Sequence, residues 1–476
     1  MKKLLNLCIL IIFLHTNVNS QSIKGFSKEE IIYDLEYLKN SLEVSTYNLY
    51  AYTNKEVFDS EYKKIYNSIN DSLTSLQVYR LFQPYVALAK MGHCQMEFPW
   101  EEYYGNYLRQ GGTIFPLNLS ISNSRVYVKN NCSNDSLIDV GDEILSINEK
   151  LIKDILTEMY SFVSGENEYH INSVIESLSF PKIYWSIYGK CDVFSLKIRK
   201  KDGEITFTKF PAISGFEFDA KNPNLLNVYH RELRFVEAIA YMRPGAFFNA
   251  NGNNDMMNQE MLDKTEFCHY IDSSFYEIHR KSVKNLIIDL RDNWGGDNSF
   301  SDYMIAYFAS KPFYFCSKFK VKTSQITKDF WKNVNDSSLQ EMKQKILSHN
   351  NGDIFDITFA KNQPRTDSLR YTGNVYVLIN RYSYSNATST AAIIKDYGFG
   401  ILIGEETPDL PSAYGATHLF KLPNTQMSVQ YPKGFSIRPN GDISPKGVIP
   451  DYQVNENALN DKDEILDFTI KLIKNK

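Results

Sequence analysis

The chain has 476 residues, 43% of them hydrophobic and 23% charged, and a net charge of −4. That length predicts two or three domains at roughly 100–200 residues each, with the composition of a globular protein. No basic block exists, so nucleic acid is excluded as a partner.

The first residues read MKKLLNLCILIIFLHTNVNSQS, with Lys2 and Lys3 ahead of an apolar run from Leu4 to Leu14. Small residues follow at Val18-Asn19-Ser20. This predicts a signal peptide over residues 1–20, because the run is too short to cross a bilayer. Cys8 lies inside the run, not at a lipoprotein cleavage box. No later segment is long and apolar enough to span a membrane, so the mature protein is expected to be exported, periplasmic or extracellular. Cys94, Cys132, Cys191, Cys268 and Cys316 are widely spaced, with no C-x-x-C pair. They predict buried thiols with at most one or two bridges, and no metal site.

Residues 21–112 read as an N-terminal helical domain. Ser27 and Glu30 have capping-box spacing, and Phe26 can staple onto Ile31. Ile31, Leu35, Leu38 and Leu42 recur at helical spacing, and amphipathic stretches follow at 54–69 and 75–91. Residues 113–210 read as a β-rich domain, from the alternation in FPLNLSIS and RVYVKN and the Asp202-Gly203 hairpin turn. Residues 211–476 alternate strands and helices: VEAIAYMRP, KNLIIDLRD, GNVYVLIN and GILIGE as strands, SFSDYMIAYFAS and NATSTAAIIKDY as helices. That alternation predicts an α/β domain with a mostly parallel sheet. A last helix is expected over 459–474.

Two strand ends carry possible chemistry. NLIIDLRDNWGGDN places Gly295-Gly296 between a buried strand and a helix, where backbone N–H groups can face outward and hold an oxyanion. The same pair also fits any tight turn. INRYSYSNATSTAAIIKDYGFG places Ser383 and Ser385 between a strand and a helix. A serine there is either an N-cap or a nucleophile at the carboxyl edge of the sheet, with the N–H of Asn386 as an oxyanion donor.

NLIIDLRDNWGG, INRYSYSNATSTAAIIKDYGFGILIGEET, LPN and KGVIPD occur in that order. Together they resemble the catalytic domain of the carboxy-terminal processing and tricorn-type serine peptidases. LIDVGDEILSINEKLIKDIL resembles the PDZ-like module of that family, and MGHCQMEF the segment where many members carry Asp-Gly-His. The resemblance implies a crotonase-like catalytic core over 211–476, a PDZ-like domain over 113–210, and peptide-bond cleavage through an acyl-enzyme. It implies peptide or protein substrates and no cofactor.

By that resemblance the nucleophile falls on Ser385, and the oxyanion donors on Gly295, Gly296 and Asn386. The chain departs from the Ser-Lys members, because Leu410 stands where they carry lysine. Lys395 is ten residues along the helix, about 15 Å from Ser385. Another base is therefore needed, and histidine is the best candidate near neutral pH. His93, in Met91-Gly92-His93, matches the tricorn-type histidine, although the acid of the motif is missing. His418 is the fallback. Asp442 and Glu405 are the candidates for a third member orienting His93. Two other readings stay open: a catalytically degenerate peptide-binding protein on the same fold, and a hydrolase of small esters or amides.

Overall fold

The computed structural model describes residues 25–177, 180–222, 229–249, 263–334, 340–457, 459–460 and 462–475. The expected signal peptide lies outside them. The described chain is mixed α/β.

A six-stranded sheet organises the C-terminal half. Its order is Glu232–Val236, Ile239–Arg243, Asn285–Asp289, Asn374–Ile379, Ile401–Gly404 and Tyr452–Gln453. The first pair is antiparallel and the others are parallel. VEAIAYMRP is thus not one strand. It spans the end of one strand, a turn with Glu237 at φ 54°, and the next strand. The apolar runs are continuous because the sheet is covered on both faces. Leu286, Ile288, Val375, Val377 and Leu402 enter one core, beneath helices Thr265–Arg280, Asn298–Ile305 and Asn386–Tyr397. Ile287, Tyr376, Leu378 and Ile403 enter the other, beneath helix Glu464–Lys474. That alternation is the period-2 pleat of a strand.

The N-terminal helices Lys28–Ser45, Lys55–Ser68 and Ser75–Ala87 are capped by Ser27, Asn54 and Thr74. Ser27 and Glu30 form both bonds of the capping box. Their apolar faces do not close on themselves. They share one core with Tyr414, Phe420, Leu422, Val429 and Tyr431. All of these but Leu422, which follows directly, belong to an antiparallel sheet ordered Ile354–Ile357, Lys318–Lys322, Ser428–Ile437 and Ala413–Lys421. Buried Asp34 fastens the contact by accepting the N–H groups of Asn424 at 2.9 Å and Thr425 at 2.8 Å. The short strand Gln95–Met96 joins this sheet beside Ser428–Ile437. Two residues before it stands His93.

Another antiparallel sheet is ordered Ile205–Pro211, Val193–Arg199, Glu143–Ile147, Arg125–Asn131 and Leu117–Ser122. Helices Ile152–Ser161, Glu168–Ser177 and Phe180–Tyr188 pack on it around one core. Its edge strand is tied to the turn that carries Ser385. The Ile121 C=O accepts from Arg381 Nη2 at 3.2 Å, and the Ile121 N–H donates to Glu176, whose other oxygen accepts the Tyr382 hydroxyl at 2.6 Å.

Candidate active site

Strand Asn374–Ile379 runs into the turn 380–385 and then helix Asn386–Tyr397. Ser383 is fully buried there; its hydroxyl donates to Leu290 C=O at 2.8 Å and accepts the Asn380 N–H at 3.1 Å. It is a structural brace between neighbouring strand ends. Ser385 stands at the N-cap position, yet its hydroxyl makes no capping bond. Its backbone is at φ 53°, ψ −119°, a conformation that non-glycine residues rarely adopt and that costs of order 1–3 kcal/mol. A sharp strand-to-helix turn of this kind lifts a hydroxyl clear of its own backbone.

His93 Nε2 lies 3.0 Å from Ser385 Oγ, across 292 residues of sequence. The imidazole stacks on the Tyr384 ring, centroids 5.2 Å apart and planes 18° apart. The backbone around it is held from three sides. Ser164 Oγ accepts the Met91 N–H at 3.1 Å and donates to the Met91 C=O at 2.7 Å. Gly92 donates its N–H to Glu166 at 3.0 Å and accepts the Tyr384 hydroxyl at 3.0 Å. Gln430 Nε2 donates to the His93 C=O at 3.3 Å. Gly92 has no room for a side chain, since a Cβ would sit 2.3 Å from His170 Cε1.

The glycine turn abuts the serine turn. A Cβ on Gly295 would lie 2.5 Å from Asn386 N and 2.9 Å from Ser385 Cβ. Tyr384 N–H donates to Asn293 C=O at 2.9 Å, locking the two turns together. The expectation for Gly295 is corrected here. Its N–H is already given to Asn293 Oδ1 at 2.8 Å, so it is no free oxyanion donor. The N–H groups of Gly296 and Asn386 make no hydrogen bond among the described residues.

Neither expected third member reaches His93. Asp442 is bound to the Ser444 N–H and hydroxyl beside Arg438. Glu405 accepts the N–H groups of Arg381 at 3.3 Å and Glu456 at 3.2 Å, so it braces the turn. His418 is buried against Phe330, centroids 4.1 Å apart, and burial drives its pKa well below the usual value. Lys395 reaches Ile449 C=O and Asp451, away from Ser385.

The acids at the site are ones that sequence reasoning passed over. Asp409, 1% exposed, accepts the Ser385 N–H at 3.0 Å and the Leu410 N–H at 2.9 Å. Glu166 binds His170 Nδ1 at 2.8 Å. Burial works to raise the Glu166 carboxyl, but its bond to His170 holds it below the usual value. Burial likewise works to lower His170, and Glu166 outweighs it, so that imidazole is raised. Asp409 is pushed up by burial. Each of the three offers one atom within 4.8 Å of the others. Since Glu166 and His170 are already hydrogen-bonded to each other, we read the group as a hydrogen-bonded cluster. Glu166 lies two residues ahead of helix Glu168–Ser177, which carries His170, so no helical spacing flagged the pair.

Residues 259–454 match the model of peptidase family S41. The match takes in Gly295, Gly296, Ser385 and Asp409 and leaves His93, Glu166 and His170 outside. No curated protein matches the chain. Among solved structures, the chain is similar to mature CPAF complexed with lactacystin: TM-score 0.62, 14% identity, covering 94% of this chain and 99% of that one. A second structure of mature CPAF gives 0.62 and 14%, covering 94% and 96%. A CPAF mutant gives 0.61 and 15%, covering 90% and 93%. At these identities the likeness is one of fold.

Proposed function

We propose that this chain, whose residues 259–454 match peptidase family S41, is a serine-type peptidase that cleaves peptide bonds through an acyl-enzyme on Ser385, with His93 as general base. The observation that carries this is the 3.0 Å contact between His93 Nε2 and an uncapped, strained Ser385. A serine hydroxyl is a weak nucleophile until an adjacent base removes its proton.

As Ser385 Oγ bonds to the substrate carbonyl carbon, its proton passes to His93 Nε2. The carbonyl π pair moves to oxygen, where the N–H groups of Gly296 and Asn386 would bind it. Collapse breaks the C–N bond, and the amine leaves with the proton held by His93. Water then attacks the ester, giving its proton to His93, and Ser385 recovers its hydrogen as the acid departs. Helix Asn386–Tyr397 adds the positive end of its dipole near the developing charge.

Substrates on this reading are peptides or proteins. The six-stranded sheet with its helices fits a crotonase-like core, and the sheet over 117–211 a PDZ-like module. The charged and apolar pattern of residues 1–20 supports export. Among the described residues no helix is long and apolar enough to cross a membrane.

The test is a fluorophosphonate probe beside a labelled protein substrate. Wild type should be labelled once and should cleave. Ser385→Ala should do neither, and His93→Ala should lose rate by orders of magnitude. Cleavage retained in Ser385→Ala would sink the mechanism.

A further inference from the structure

His93 Nδ1 is buried and has no hydrogen-bond partner among the described residues. In a serine–histidine site an acid on that nitrogen usually fixes the tautomer and stabilises the imidazolium. Here neither Asp442 nor Glu405 is near it. Yet two carboxylates, Glu166 and Asp409, are buried beside the dyad. No lysine or arginine pairs with either among the described residues; the cationic partners acting on them are His93 and His170. Buried charge without a counter-ion is costly, so this cluster is poised for a positive charge at His93.

Each member also grips a catalytic backbone. Glu166 Oε1 holds the Gly92 N–H, one residue before His93, and Oε2 holds His170 Nδ1. Asp409 Oδ2 holds the N–H of Ser385 itself. Tyr384, wedged between the His93 and His170 rings, has centroids 5.2 and 5.3 Å from them. It links the two halves through its bond to Gly92 C=O. His170 is fully buried, with Nε2 unpartnered.

We propose that Glu166, His170 and Asp409 together are the positioning partner of His93, in place of a single acid bonded to its Nδ1. The assignment rests on the Ser385–His93 reading. The two carboxylates supply the negative charge that favours the imidazolium. Their bonds to Gly92 and Ser385 hold base and nucleophile in register. His170 keeps Glu166 ionised and packs where Gly92 has no side chain. Because the carboxylates do not bond the imidazole directly, their effect should be smaller than that of a bonded triad acid, whose amide substitution costs about 10⁴ in kcat.

The experiment compares Glu166→Gln and Asp409→Asn with wild type. Both keep an oxygen for the backbone N–H and remove the charge. Rates are taken per active site, counted by fluorophosphonate labelling, so that misfolded protein drops out. The groups facing His93 are Glu166, His170, Asp409 and Tyr384. Of these the variants change only the carboxylates, and the acidic limb of kcat/KM against pH reports the free base. Removing a negative charge beside the base should move that limb to lower pH. In each variant kcat should fall about ten- to a hundredfold, with KM nearly unchanged. Asp442→Asn, outside the cluster, should leave both alone.

If wild type is labelled and cleaves, but both variants keep its limb and its kcat, the cluster assignment is overturned and the dyad stands. An equal shift in Asp442→Asn would overturn it too. A wild type that is neither labelled nor active removes the dyad reading itself. If one variant fails to fold, the other decides alone.

Discussion

Gly295→Ala tests how closely the glycine turn and the serine turn are coupled. Gly295 sits at φ 85°, and an added Cβ would meet Asn386 N at 2.5 Å, Tyr384 O at 2.7 Å and Ser385 Cβ at 2.9 Å. Two costs follow. The backbone conformation itself costs about 1–2 kcal/mol for an L-residue. The contacts cost more, because relieving 2.5 Å to an ordinary approach of about 3.5 Å moves the serine turn by about 1 Å. A displacement of that size costs about 10² in rate. Gly441→Ala separates the two terms. Gly441 has nearly the same φ, 84°, and a Cβ added there would meet nothing within 4 Å. Melting temperature, labelling rate and peptide turnover are measured for both. Both should lose the strain term in stability, but only Gly295→Ala should lose about a hundredfold in turnover and labelling. Turnover within about threefold of Gly441→Ala would refute the coupling.

Three further outcomes are expected. Glu166 is held below its ordinary 4.5 and His170 above its ordinary 6.5. Glu166's contribution is full above 4.5 and lost as pH falls through its lowered value; His170's is full below 6.5 and lost as pH rises through its raised value. The pair therefore stabilises most between 4.5 and 6.5, and the melting-temperature gap between wild type and His170→Gln should narrow as pH rises above that range. Arg291 binds Asp289 at 2.8 Å, Asp463 at 2.6 Å and Glu456 at 2.8 Å, clipping the C-terminal helix to the sheet. Arg291→Met leaves Asp289 buried without that partner and should cost about 3–5 kcal/mol in urea unfolding. All five described cysteines are free thiols, and Cys94, Cys132 and Cys316 are buried. Reductant should leave the melting temperature unchanged, and those three should react with a thiol reagent only after unfolding.

Much of the fold is written locally. A capping box at Ser27 and Glu30 starts the first helix because its two bonds lie within one turn. The unbroken run NLIID marks a doubly covered strand because pleated side chains leave by alternate faces. VEAIAYMRP misleads because alternation and apolarity look alike on the two arms of a hairpin, and the turn at Glu237 carries no glycine. The shared core of the N-terminal helices and the strands near 420 was not legible, since an apolar helix face does not say what covers it.

The site divides along the same line. Ordered motifs pointed to Ser385 from the sequence alone, and Leu410 in place of lysine called for another base, with His93 the candidate. The sequence could not say which amide in the glycine turn stays free. That depends on Asn293 folding back onto Gly295. Nor could it say which acid faces His93. Asp442 and Glu405 were the acids nearest the motifs, but packing set Glu166, His170 and Asp409 beside Ser385 and His93 from two segments more than two hundred residues apart. Periodicity, caps and turns act over a few residues and can be read in line. Charge balance around a half-buried imidazole is decided only when distant segments meet, and that meeting belongs to the tertiary structure.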